Sequence, residues 1–287
     1  MEELVDKLSQ SYPSLSPQLQ RAALTILGNP NDVAVNSMRA LAARAKVSPP
    51  TMLRLAQRMG FENYEAFRDI FKHSVATQGY GDRADDLRRS TDKQGIAALV
   101  DATAVAAEVA FERFHDPVFA RDIERVADLI VASKRTYVVA SGASFGQAVS
   151  FQYVLRMAYP AIHLADGLGI RSVDELAFIG PGDTVVAIST SPYARTTIDA
   201  ATFAKKRGAH VVVVTDSRTS PLARLADAAV VIATQSPHYF PSMISLNATL
   251  EILSAVVTVK LGDQGVGAVT AYEATLQANS YYWTEPQ

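Results

Sequence analysis

No cysteine occurs among the 287 residues, which removes disulfides, thiol nucleophiles and cysteine-ligated zinc from consideration. No apolar run approaches the roughly 20 residues that a membrane-spanning helix requires. The acidic opening MEELVDKLSQ lacks the basic-then-apolar form of a signal peptide. A cytoplasmic protein without a membrane partner is therefore expected. Net charge is also scarce: 27 Lys and Arg against 29 Asp and Glu leave −2, so no chain-wide field draws the protein to nucleic acid. The G-K-[ST] signature of a nucleotide phosphate loop is absent as well.

The near-neutral total hides an asymmetry. Residues 38–72 carry seven cations (Arg39, Arg44, Lys46, Arg54, Arg58, Arg68 and Lys72) against three acids (Glu62, Glu65 and Asp69). That segment is about +4 and the remainder about −6, and a local positive patch is enough for phosphate contact. Most clusters of this size are solvated helical faces, so charge alone does not decide the matter.

Spacing inside the segment says more. Ser37 is placed to cap a helix whose Met38, Leu41, Ala42 and Ala45 fall at i, i+3, i+4 and i+7. After a three-residue turn, Ser48 opens a second helix with Pro49 and Pro50 in its first turn, where an amide has no intrahelical partner to lose. Met52, Leu55, Ala56 and Met59 form its apolar stripe, and Gly60 ends it. Pro50, Thr51, Arg54, Gln57 and Arg58 are expected on the opposite side. This is the arrangement of a helix-turn-helix whose second helix enters the major groove of double-stranded DNA. Thr51 and Arg54 are the candidates for base contact. Arg44, Lys46 and Arg58 are candidates for phosphate contact, with Ser48 capping and touching phosphate. Such modules read half-sites one helical turn apart, so a homodimer or homotetramer on an operator is expected.

Residues 16–75 read as all helix, broken at Gly28-Asn29-Pro30-Asn31 and resumed after Asn63. The polar stretch 77–95, TQGYGDRADDLRRSTDKQG, has the composition of a linker. Helical patterns follow over 96–114 and 117–133. From Thr136 short apolar runs at 136–140, 161–165, 184–189, 210–215 and 228–233 alternate with helical segments, including 146–159 and 194–207. A last helix is expected over 242–261. The chain is thus read as an all-α helix-turn-helix domain (1–76), a linker (77–95) and an α/β domain with leading helices (96–287). Its core would be a five-stranded parallel sheet covered on both faces.

Ligands of open α/β sheets bind beyond the carboxyl ends of the strands, and those positions are rich in hydroxyls. Ser141-Gly142-Ala143-Ser144 follows the first strand, Ser189-Thr190-Ser191 the third, and Thr215-Asp216-Ser217 the fourth. Small residues and helix-start amides suit an anion such as phosphate. Serines at such places also simply cap helices. A dinucleotide site would want G-x-G-x-x-G, and S-G-A-S-F-G lacks the first glycine; Asp166 lies beyond the ribose-binding position. The candidate ligand residues are Ser141, Gly142, Ser144, Ser189, Thr190 and Ser191, with no cofactor and no metal implied.

The order of these parts resembles the RpiR/MurR family of bacterial transcription regulators. S-P-P-T-M-L-R-L-A-Q-R-M-G-F (48–61) is similar to the family's recognition segment, S-G-A-S (141–144) to its first phosphosugar loop, and T-D-S-R-T-S-P-L-A-R-L-A-D (215–227) to the segment after the fourth strand. The resemblance implies a C-terminal sugar-isomerase (SIS) domain that senses a phosphorylated sugar, with Ser144 at the phosphate. It also implies a departure. Such sites read Ser-x-Ser-Gly-x-Thr after the third strand, whereas here Ser189-Thr190-Ser191-Pro192-Tyr193-Ala194 keeps the serines and loses a backbone donor at Pro192 and a hydroxyl at Ala194. Each buried acceptor left unpaired would cost about 1–3 kcal/mol. Arg195 or Thr196 could substitute if the loop is re-aimed.

An enzyme would need an acid–base pair. His163 and His210 belong to apolar strands, Glu175 suits a helix's first turn, and Glu251 sits mid-helix; His238, in QSPHYFP, is the most plausible titratable site residue. Tyr80, Tyr272, Tyr281, Tyr282 and Trp283 are better suited to packing against a linker or a second subunit than to stacking on a ligand. A metabolite-responsive DNA-binding regulator without enzymatic activity is the expectation. The alternatives are a phosphosugar isomerase with an accessory helical domain, and an architectural DNA binder with no effector.

Overall fold

Among the described residues, eight α-helices build the first part of the chain: α1 (Glu2–Ser11), α2 (Pro17–Gly28), α3 (Asn31–Val35), α4 (Met38–Arg44), α5 (Pro49–Arg58), α6 (Tyr64–Thr77), α7 (Tyr80–Gln94) and α8 (Ile96–Phe111). The structure is a computed structural model that describes residues 2–28, 30–77, 79–166 and 172–283. Asn29, expected within a helix break, lies outside the described residues. The chain groups into two compact units, residues 1–110 with 235–242, and residues 111–234 with 243–287.

Apolar stripes at helical spacing meet in the core of the first unit. Leu8, Ile26, Leu41, Met52, Leu55, Phe67 and Phe71 are fully buried there. Phe67 holds the aromatic lattice, edge-on to Phe61 (centroids 5.4 Å, 79°) and 5.1 Å from Phe71. Two caps act as expected: the Ala40 amide donates to Ser37 Oγ at 3.1 Å, and the Ala66 amide to Asn63 Oδ1 at 2.8 Å. The stretch read as linker is a helix, α7, for a physical reason. It has no buried residue, yet Arg88 pairs with Asp85 (3.0 Å) and Asp92 (3.2 Å), and Arg89 with Asp85 (2.8 Å) and Asp86 (3.2 Å). Pairs three and four residues apart support a helix that is polar all round.

The second unit opens with α9 (Pro117–Val131), whose Asp116 cap accepts from the Val118 amide at 2.8 Å. There follow β1 (Arg135–Ala140), α10 (Ser144–Ala158), β2 (Ile162–Leu164), α11 (Ser172–Glu175), β3 (Asp183–Ile188), α12 (Arg195–Lys206), β4 (His210–Thr215), β5 (Ala228–Val231), α13 (Ile244–Leu261) and α14 (Asp263–Ala278). The five strands form one parallel sheet in the order β2-β1-β3-β4-β5. Alternation along each strand divides the core in two. Val138, Val186, Ile188, Val212 and Val214 pack in one cluster with α9, α10 and α13; Val139, Val185, Ala187, Val211 and Val213 pack in another with α12. Ala200, Ala201 and Ala204 let α12 approach closely. Each buried valine contributes about 1.5–3 kcal/mol of burial.

Among the described residues, α13 alone is long and apolar enough to cross a membrane, longer than the sequence's broken apolar runs suggest. Leu246, Leu250, Leu253 and Val257 instead bury its apolar side in the sheet's core. The last helix expected is followed by another, α14.

Ion pairs hold the amino edge of the sheet. Arg135 grips the buried Asp183 with two nitrogens, at 3.1 and 2.8 Å, and the Gly180 amide donates to the same carboxylate at 3.0 Å. Asp227 accepts from Lys205 at 2.5 Å and from the Val211 amide at 2.9 Å. Burial raises the Asp227 pKa, but these donors together outweigh it and hold the carboxyl below the usual range.

Candidate DNA-binding surface and effector site

The turn between α4 and α5 is closed by the Val47 amide on the Ala42 carbonyl (2.9 Å) and the Lys46 amide on the Ala43 carbonyl (3.0 Å). Closing it so tightly places Lys46 at φ +53°, in the left-handed region. The α5 stripe is buried as expected: Met52, Leu55, Ala56 and Met59 are at most 3% exposed. Lys7 Nζ donates to the Met59 carbonyl at 3.0 Å and secures the helix's C-terminal end.

Two expectations here are corrected. Thr51 is only 8% exposed and stands on the buried side, because it lies one helical turn before Leu55. Ser48 occupies the cap position, but its hydroxyl bonds the Thr51 hydroxyl at 3.0 Å and caps no amide. Pro49 and Pro50 have no N–H, and the next amide, Thr51's, donates to the Ser48 carbonyl at 2.9 Å. Arg44 is engaged in an ion pair with Asp32 of α3.

The basic segment is thereby sorted. Arg68 donates to the Val33 and Ala34 carbonyls, both at 3.1 Å, and Lys72 pairs with Glu65 and Asp69. Arg39, Lys46, Arg54 and Arg58 are exposed and, among the described residues, have no acidic partner. Pro50 and Gln57 are exposed beside them on α5. An exposed basic helix face, backed by a fully buried stripe, is what phosphate and base-edge contact require.

In the second unit, three of the hydroxyl-bearing candidates meet at the carboxyl edge of the sheet. Ser141, after β1, lies 2.7 Å from Thr196 Oγ1 and accepts from Thr197 Oγ1 at 3.2 Å, which ties the first loop to the start of α12. Ser189, after β3, accepts from the Ala194 amide at 3.2 Å through its Oγ. Ser191 donates its amide to Asp216 Oδ2, after β4, at 3.2 Å. Gly142 has φ +61°, and a Cβ there would meet nothing within 4 Å, so glycine is required by the turn rather than by space. Ser144, the first residue of α10, and Thr190 are buried.

Asp216 and Tyr193 were placed at this edge from the sequence but were not among the candidate ligand residues. Burial, then the negative charge and hydrogen bonding of Asp216, push the Tyr193 hydroxyl far above its ordinary pKa. The position of Asp216 directly after a parallel strand was the available signal. Thr196, named as a substitute donor, has its hydroxyl engaged with Ser141.

The candidates for catalysis do not converge. His163 is exposed on β2, and His210 is 3.7 Å from Asp227 at the opposite, amino edge. His238 groups with the helical unit, its Nδ1 accepting from the Phe240 amide at 3.2 Å. Glu251 is exposed on α13, and Glu175 closes α11. Tyr80 stacks on Phe240 (5.2 Å), as suits a packing role. Tyr272 lines a groove of about 550 Å³ together with Arg156, which lies 5.9 Å over its ring. Tyr281, Tyr282 and Trp283 are exposed.

A basic recognition helix and a parallel sheet with a hydroxyl-lined carboxyl edge define a helix-turn-helix protein carrying a sugar-isomerase-type domain. Residues 2–78 match the helix-turn-helix domain of the rpiR family and residues 129–259 match the SIS domain. The chain belongs to the RpiR family of DNA-binding transcriptional regulators. It is 26% identical over 267 residues to the HTH-type transcriptional regulator HexR of Pseudomonas aeruginosa, covering 91% of each chain. The NanR protein of Vibrio vulnificus, solved in complex with ManNAc-6P, shares the fold with a TM-score of 0.52 at 22% identity, over 96% of this chain and 98% of that one. The sugar isomerase domain of an RpiR transcription factor from Sphaerobacter thermophilus matches 64% of this chain and 95% of its own length (TM-score 0.51, 24% identity). Relatives that match it over about nine-tenths of both chains include HTH-type transcriptional regulators.

Proposed function

We propose that the protein binds a pseudo-palindromic operator as a cytoplasmic homo-oligomer, through α5, and that a phosphorylated sugar or related metabolite at the carboxyl edge of the sheet controls that binding. Residues 1–76 form the DNA-binding domain, 77–95 the link and 96–287 the sensor with its leading helices. The observation that carries the first half is the pair Arg54 and Arg58, exposed on a helix whose opposite face is buried and, among the described residues, without acidic partners. Arg54 reads a base, and Lys46 and Arg58 hold phosphates, with the exposed Ser48 and Pro50 at the helix's leading end. Gly142 and Ser144 at the start of α10, with Ser141, Ser189, Thr190 and Ser191, form the sensor's ligand-binding edge. The NanR complex supports a phosphosugar at a site of this fold. Exposed Val149, Tyr153, Val154, Val259 and Val266 supply apolar surface for self-association.

Substituting Arg54 by Ala tests the DNA half. Operator affinity should fall by about 1–3 kcal/mol, and affinity for random DNA by less. Equal losses on both would make Arg54 a phosphate contact, and no loss on either would remove α5 from the groove. Titrating sugar phosphates into a protein–operator mixture tests control, because regulation requires that effector and operator affinities be coupled. A sugar phosphate that binds tightly and leaves operator affinity unchanged refutes it.

A further inference from the structure

Helix α8 is apolar all round yet little covered. Asp101, Thr103 and Glu108 are its only residues that are not apolar, and Ala110 is the only one that is buried. A helix of that composition is ordinarily packed on every side, because each of its faces is apolar surface held in water. Its exposed positions Ala97, Val100, Asp101, Ala104, Glu108 and Phe111 recur at three- and four-residue spacing and form one stripe. Asp101 and Glu108 stand about two turns apart on it. Among the described residues, no cation pairs with either.

A surface of the opposite charge lies in the second unit. Between α10, β2 and α14 runs a groove of about 550 Å³, with Met157, Ile162 and Ala271 in its apolar lining. Arg156 and His163 also line it, and no acid does. The Arg156 guanidinium is exposed and lies over the Tyr272 ring, 5.9 Å from its centroid, without an acidic partner among the described residues. On α10 it shares a face with Val149 and Tyr153, at i, i+4 and i+7, so the groove continues the exposed apolar surface there.

We propose that α8 of a second copy of this chain lies in this groove, with Asp101 or Glu108 on Arg156, and that the first copy's α8 does the same in return. The sizes agree. A helix of this length is about 24 Å long and about 11 Å across, with about 800 Å² of side surface. Half of that against an equal area of groove buries about 800 Å² in all, no more than a casual contact. Two such contacts related by a two-fold axis bury about 1,600 Å², which is what a stable dimer needs. The exchange rests on the self-association proposed from the exposed valines, and it names the two surfaces that meet.

Sedimentation velocity of the full chain measures the dimer dissociation constant. Arg156→Glu should raise it about 10-fold or more, and so should Asp101→Arg combined with Glu108→Arg. All three substitutions together should bring it back to within about 3-fold of the wild type, because the charges are then exchanged rather than opposed. Unchanged melting midpoints by circular dichroism certify that the variants are folded. The absence of cysteine allows a second measurement on the same chain. Protomers carrying Ala104→Cys, mixed with protomers carrying Ala271→Cys, should be joined to each other by a flexible bis-maleimide linker, and neither should be joined to its own kind. A dissociation constant unmoved by Arg156→Glu, a triple variant as weak as the others, or cysteine protomers that are not joined to each other overturns the proposal. Ala104→Cys protomers joined to their own kind overturn it too, by placing α8 against α8. If the wild type is a dimer in these cases, self-association stands and only the place of α8 falls; a wild type that is monomeric at every concentration removes both.

Discussion

Replacing Asp32 by Asn should give the protein an additional DNA contact. In the free protein Arg44 is paired with Asp32, so a phosphate must compete with that carboxylate for it, although its side chain is 52% exposed. Among the described residues Arg39, Lys46, Arg54 and Arg58 have no acidic partner; with Arg54 on a base, the wild type offers up to three phosphate contacts per protomer, and Asp32→Asn makes Arg44 a fourth. Each contact steepens the slope of log affinity against log salt by about 0.9. Between 50 and 200 mM salt, one more contact makes affinity fall by about 3.5-fold more than it does in the wild type. The gain costs little stability, since a half-exposed ion pair is worth about 0.2–1 kcal/mol. Burial raises the Asp32 pKa above its ordinary value by more than Arg44 lowers it. The sign follows: a raised folded pKa contributes stability that is fully present below the unfolded value and lost as pH rises through the folded one. The variant, with nothing to titrate, should therefore be relatively less stable in acid and gain on the wild type toward neutral pH. Fluorescence anisotropy with random-sequence duplex at four salt concentrations, together with urea denaturation from pH 3 to 7, checks both halves. An unchanged salt slope would show that Arg44 points away from DNA even when released. A stability difference that is flat with pH would show that Asp32 titrates alike in both states.

Lys46→Gly should relieve a left-handed backbone that costs an L-residue about 1–2 kcal/mol. Part of this is offset by the greater freedom of glycine in the unfolded chain, so a net gain of about 0.5–1 kcal/mol in urea unfolding is expected. The same change removes a cation, and the salt slope on DNA should become shallower by about 0.9; stabilisation with no change in slope would remove Lys46 from the contact surface. Phe67→Ala should cost the helical unit about 3–5 kcal/mol, because the ring packs between Phe61 and Phe71. A loss under about 1 kcal/mol would mean that the core collapses onto the cavity.

The sheet and the helix-turn-helix were legible because one physical signal dominates each. β4 is four consecutive valines that must be covered on both faces, and α5 repeats Met52, Leu55, Ala56 and Met59 at one helix period. What escaped the sequence depends on pairing or on angle. α7 has no apolar stripe, and its helix is carried by arginine–aspartate pairs whose geometry exists only once the helix has formed. α14, with two glycines and scattered alanines, has no marked face either. Thr51 looked outward by its chemistry, yet its place one turn before Leu55 turned it inward. Asp216 was visible, but that it would bond the Ser191 amide required the register of β3 on β4 to be known.

The two edges of the sheet are built from different materials. At the amino edge, Arg135–Asp183 and Lys205–Asp227 are charged pairs whose partners cannot be exchanged without leaving an ion unpaired. At the carboxyl edge, Ser141, Thr196 and Thr197 hold one another by neutral hydroxyls. A hydroxyl proton can rotate to a new acceptor while every heavy atom stays in place. An incoming ligand hydroxyl can thus enter that ring by rotation alone, substituting itself for one member at a time. The sheet is riveted at one rim and hinged, at the scale of single protons, along the other.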